Sequence, residues 1–201
     1  SSHTDWEDPA QPAAALSVSI DGRLCSHLVT YMGREFHQYE VHLGLVTPGT
    51  RVLEITRLDS MQIEVKLVNV RIDAYEEGHP LFSVLEHAPI IFGRKEMRHS
   101  DVPLLLAYDA RWFDMPAGSD PPAGTSRRMK SIEYTVIYSN EDGGTPPVGL
   151  MHVWGRYADI EWAYRVEFET DGKTRRRAYF QGPDHKTMPF RGGFENDQPA
   201  L

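Results

Sequence analysis

Along most of the readable chain, apolar side chains recur at every second position, so the predicted elements are strands rather than helices. The longest such run is 61–72, where Met61, Ile63, Val65 and Leu67 share one face and Gln62, Glu64 and Lys66 the other. After Leu67 the phase slips and Val68, Val70 and Ile72 become the apolar set. A one-residue slip exchanges the two faces, as a bulge or a strand passing between two sheets requires. Further strands are predicted at 16–20, 24–31, 39–45, 51–57, 90–93, 104–108, 132–138, 150–154, 159–169 and 175–181. Turn chemistry separates the early ones at Asp21-Gly22, Pro48-Gly49 and Gly78-His79-Pro80. Only 81–87 predicts a helical turn in the first half. A stretch rich in Pro, Gly and Ser predicts a long loop at 114–128. Many short strands with regular turns predict an all-β class, an antiparallel β-sandwich of jelly-roll type with little helix. A single domain is expected over 16–195, after a flexible lead-in at 1–15.

Length and charge narrow the function classes. With 201 residues the chain can bury roughly 70% of its unfolded surface, enough for a core without staples. A formal charge of -8 repels phosphate backbones and anionic lipid, so nucleic acid is not an expected partner. No apolar stretch approaches the roughly 20 residues of a membrane span. The single cysteine, Cys25, excludes an internal disulfide scaffold. No GxSxG, P-loop, GxGxxG or CxxC signature is present. Cys25 and His27 are strand neighbours without a readable third member of a nucleophilic triad.

The richest chemistry lies in 155–185. On 159–169, Ile160, Trp162, Tyr164, Val166 and Phe168 alternate with Asp159, Glu161, Arg165, Glu167 and Glu169, which predicts a strand with its aromatic face buried. Residues two apart on a strand project the same way about 6.5–7 Å apart, so Asp159 and Glu161 form a same-side carboxylate pair. Asp171-Gly172 supplies a hairpin turn, and the return strand is 175–181. A two-residue turn sets Asp159 opposite Asp184. A three-residue turn sets it opposite His185, and this register is preferred because it also faces Glu169 with Arg175 and Glu167 with Arg177. Either one folds Asp184 and His185 back beside the carboxylates. Oxygen donors completed by one imidazole suit calcium, magnesium or manganese and, with fewer ligands, zinc. The loop 139–147 offers Asn140, Glu141 and Asp142 before Gly143-Gly144, and Asp142 is the expected fourth ligand. The metal set is therefore Asp142, Asp159, Glu161 and His185.

The string IEYTVIYSNEDGG, then GRYADIEW, then DH about two dozen residues later, resembles the order of elements in the necrosis- and ethylene-inducing peptide-like (NPP1-type) proteins. The resemblance covers 132–185. It implies a single β-sandwich with a divalent cation held by acidic residues and a histidine. The family's GHRHDWE heptapeptide falls on 155–161, where Gly155, Asp159 and Glu161 match and the histidine positions hold Arg156 and Ala158. Arg156 thereby competes with a metal as the balancing charge.

The leading expectation is a binding protein for a glycan or glycolipid headgroup, dependent on a divalent cation. Arg156, Tyr157, Trp154 and Asp184 would face the ligand, and Trp154, Tyr157 and Trp162 are candidates to stack on a sugar ring. Location stays open, with the extracellular or periplasmic side slightly favoured. A metal-dependent polysaccharide hydrolase or lyase, with Asp184 or Glu161 as base, is the rival, and a structural or interaction domain without a small-molecule site is the third reading. His152 is expected in the core beside Leu150 and Trp154. The run Arg175-Arg176-Arg177 is read as pairing with Glu167 and Glu169.

Overall fold

The computed structural model describes residues 14–30, 32, 35–58, 64–93, 103–115, 127–140, 147–155, 158–195 and 198–201, excepting the side chains of Pro147, Val148, Leu150 and Trp154. Three antiparallel sheets, two short α-helices and one 3-10 turn make up the regular structure of these residues, which bears out the all-β class. The chain forms two compact units, 1–76 and 77–201.

In the first unit, β1 (Ala15–Ile20) is the centre of a sheet ordered β2-β1-β3, with β2 at Arg23–Val29 and β3 at Leu53–Arg57. Its alternation is strict: Leu16, Val18 and Ile20 are buried, and the serines between them are half-buried. The β1–β2 turn is Asp21-Gly22, both at positive φ (50° and 77°), as a two-residue primed hairpin turn requires. Asp21 then accepts from the backbone N–H of Val52 at 2.9 Å and from Arg51 at 3.2 Å. These bonds favour its charged form and lower its pKa.

The second unit is a five-stranded sheet in the order β4-β5-β6-β7-β8: Pro103–Met115, Arg127–Tyr138, Asp159–Phe168, Arg175–Gln181 and Thr187–Pro189. One face carries Ile132, Tyr134, Tyr164, Val166 and Phe168, all essentially inaccessible. What covers this face is a five-residue helix, α1 (Phe82–Glu86), together with the C-terminal segment. Val84 and Ala88 pack on the sheet, and Tyr134 Oη donates to the Val84 carbonyl at 2.5 Å. His87 packs against Phe168 with ring centroids 4.9 Å apart and the planes tilted by 41°. The backbone of Ile90 and Phe92 bonds to Pro199 and Leu201, and Gln198 donates to the Ala88 carbonyl at 3.0 Å. A two-stranded ribbon, β9 (Phe194–Glu195) with β10 (Gln198–Pro199), completes this end.

Four predicted strands are corrected. Residues 150–154 belong to the helix α2 (Pro147–Trp154), with proline at its first position and Gly155 past its end at φ 66°, donating to the Met151 carbonyl. His152 is accordingly exposed rather than in a core. Residues 39–45 form no strand, because Arg23 Nη2 takes the carbonyls of Leu43 and Leu45 and Gly44 sits at φ 75°. Within 64–72 only Val65 makes a bridge, Asn69 turns the backbone at φ 58°, and Leu67, Val68, Val70 and Ile72 are exposed. Residues 61–63 lie outside the described set. At 90–93 there is a single parallel bridge, Ile90 with Ala200.

Candidate functional site

The β6–β7 hairpin fixes the site. Its observed ladder pairs Tyr164 with Phe180, Arg165 with Tyr179, Val166 with Ala178 and Glu167 with Arg177, which is the three-residue-turn register. Asp171 secures the turn by accepting from the backbone N–H groups of Lys173 and Thr174, both at 2.8 Å, and from the Thr174 hydroxyl at 2.5 Å. These three bonds hold its carboxyl down at about 2. One expected pair is replaced: a bulge sets Phe168, not Glu169, opposite Arg175.

A second bulge decides which way the carboxylates point. Between Tyr134 and Thr135 of β5 the partner on β6 jumps from Tyr164 to Trp162, leaving Ala163 as the extra residue. Directly paired residues share a face, so Glu161 joins Val136, and Asp159 joins Tyr138, on the same face as Tyr134 and Tyr164. The expected aromatic face is therefore split. Tyr164, Val166 and Phe168 are buried as predicted, but Trp162 is half-buried on the opposite face, where Arg165 lies 5.9 Å from its ring, and Ile160 is exposed. Glu167 and Glu169, expected to be exposed, are partly buried. The same-side relation of Asp159 and Glu161 survives because both precede the bulge.

The structure brings Glu161 and His185 together, with Gln181 between them. His185 Nδ1 is 3.2 Å from Glu161 Oε2 and 3.2 Å from Gln181 Nε2, which also donates to Glu161. With its proton on Nε2, His185 accepts from Gln181 at Nδ1; with the proton on Nδ1 it donates to Glu161 instead. The β6–β7 ladder ends at Phe180, and the chain turns over Pro183–His185 into β8, so no direct Asp159–His185 pair forms. Asp184 and His185 both hold φ 57°, and Lys186 N–H closes on the Pro183 carbonyl at 3.3 Å. Left-handed φ is costly for a histidine, and it sends this ring back toward Glu161. Asp159 is 7% exposed at the start of β6. Asp184 pairs with Lys186 at 3.2 Å.

Asp142, Arg156 and Tyr157 lie outside the described residues, and Trp154 ends α2 with its side chain also outside them. Among the described residues no group of three or more His, Cys, Asp or Glu side chains is close enough to hold a metal. The donor chemistry of the cluster nevertheless fits a hard cation. Glu161 contributes oxygen, His185 nitrogen, and an amide flip of Gln181 exchanges its N–H donors for a carbonyl oxygen. Gln181 was missed in the sequence. Its place at the end of β7, four residues before His185, was the available signal.

No family model, curated protein or solved structure matches the chain.

Proposed function

We propose that this chain is a divalent-cation-dependent binding protein for a glycan or glycolipid headgroup. The observation that carries the reading is the Glu161–Gln181–His185 cluster, with Asp159 on the same sheet face. Glu161 and His185 would hold the ion, and Asp159 and Asp142 would complete its shell. Bound there, the ion supplies a positive centre on which two neighbouring sugar hydroxyls can sit. The order of elements shared with the NPP1-type proteins points the same way. Openness favours binding over hydrolysis: the His185 side chain is 73% exposed, whereas a catalytic acid–base pair calls for an enclosed cleft.

A glycan array read in calcium, magnesium and manganese, and again in chelator, tests the reading. Cation-dependent capture that disappears in Glu161→Gln supports it. Capture that persists in chelator, or no capture under any ion, overturns it.

A further inference from the structure

At the outer edge of the five-stranded sheet, β7 and β8 pair with Tyr179 opposite Pro189, and Phe190 N–H still donates to the Ala178 carbonyl at 2.8 Å. Continued one residue past the ladder, that register would set Arg177 opposite Arg191. Like charges directly across a ladder repel, and at a position flanking a hydrogen-bonded pair the side chains are at their closest. A chain with eight more acids than bases has carboxylates to spare, yet none pairs with either arginine among the described residues. Glu167 faces Arg177 across β6 but sits 3.7 Å from Arg165 instead. Glu169, the other expected partner of this run, pairs with Arg127 and Arg176. Arg175 lies over the Phe194 ring at 4.8 Å.

Two overlapping openings, about 260 and 350 Å³, lie at this edge, and both are lined by Arg177, Phe190 and Arg191. We propose that Arg177 and Arg191 form a binding site for a tetrahedral oxyanion, a phosphate or sulfate group carried by a small ligand. A planar carboxylate is satisfied by one guanidinium fork. A tetrahedral group has oxygens enough for two forks arriving from facing strands. The site is separate from the Glu161–His185 cluster and does not depend on the function proposed for it.

The test is a titration of isotope-labelled protein with inorganic phosphate and, separately, inorganic sulfate, at ionic strength held constant with chloride. Magnetic resonance shifts are followed at 175–179 and 189–193. The expected result is saturable binding that weakens about tenfold or more in Arg177→Gln and in Arg191→Gln, since each removes a charge-assisted bond. Saturation by one anion and not the other assigns the group. A second reading guards against a general salt effect: without oxyanion, Arg191→Gln should melt no lower than the parent, and phosphate should raise the melting temperature of the parent alone. Non-saturating shifts that chloride reproduces, or equal affinity in parent and variants, overturn the site.

Discussion

His185 Nδ1 lies 3.2 Å from Glu161 Oε2, although 24 residues separate them and His185 must hold φ 57° to make the approach. A left-handed φ costs a non-glycine residue about 1–2 kcal/mol. The turn carries a histidine where glycine would sit without strain.

Replacing His185 with Gly separates the backbone strain from the contacts of the imidazole. Relief of about 1–2 kcal/mol outweighs the roughly 0.5–1 kcal/mol of added chain entropy, so stability should hold or rise slightly while any function of the imidazole is lost. Urea unfolding measures this. A loss of more than about 1 kcal/mol, beyond what an exposed ion pair supplies, would show that the ring serves the fold rather than a site.

Tyr134 anchors the short helix α1 through its bond to the Val84 carbonyl. Burial raises the pKa of this phenol well above its usual value, so it remains a neutral donor. Tyr134→Phe keeps the ring and leaves the carbonyl unpaired, and should cost about 1–3 kcal/mol in chemical denaturation. A cost under about 0.5 kcal/mol would mean that α1 does not depend on this bond.

His87 should make the second unit sensitive to acid. Desolvation against the sheet, aided by Arg175 and Lys130, lowers its pKa from 6.5 to about 4, so at neutral pH it is uncharged and its 3.6 Å contact with Glu86 is not an ion pair. Between those values the unfolded chain binds a proton that the folded chain does not, so stability falls as pH drops from about 6.5 to about 4 and this contribution levels off below. Melting temperatures across that window should slope for the parent and flatten in His87→Phe, which preserves the packing on Phe168. Equal slopes would assign the acid response elsewhere.

The hairpin was legible because Asp171-Gly172 marks its turn and alternation marks both strands; Glu167 and Arg177 do face each other, without an ion pair, and His185 reaches Glu161 through the turn after β7 rather than through the ladder. The aromatic face of β6 was not legible beyond Ala163, since a bulge is set by the partner strand and leaves alternation in the sequence unbroken. In 150–154 five residues fit either period, and Pro147 and Gly155 were the stronger signals. At 39–45 the ladder lost to a long-range donor, Arg23, that local pattern cannot register. Gln181 was not legible as a site residue because its amide is uncharged and meets Glu161 and His185 only once the hairpin and the turn after it have formed.

The proposed function requires that Glu161 and His185 hold a divalent cation. Calorimetric titration of chelator-treated protein with calcium, magnesium, manganese and zinc tests it most directly. One ion should bind at a single site in the parent and fail to bind in Glu161→Gln and His185→Ala; no binding of any ion, or binding unchanged in Glu161→Gln, would contradict it.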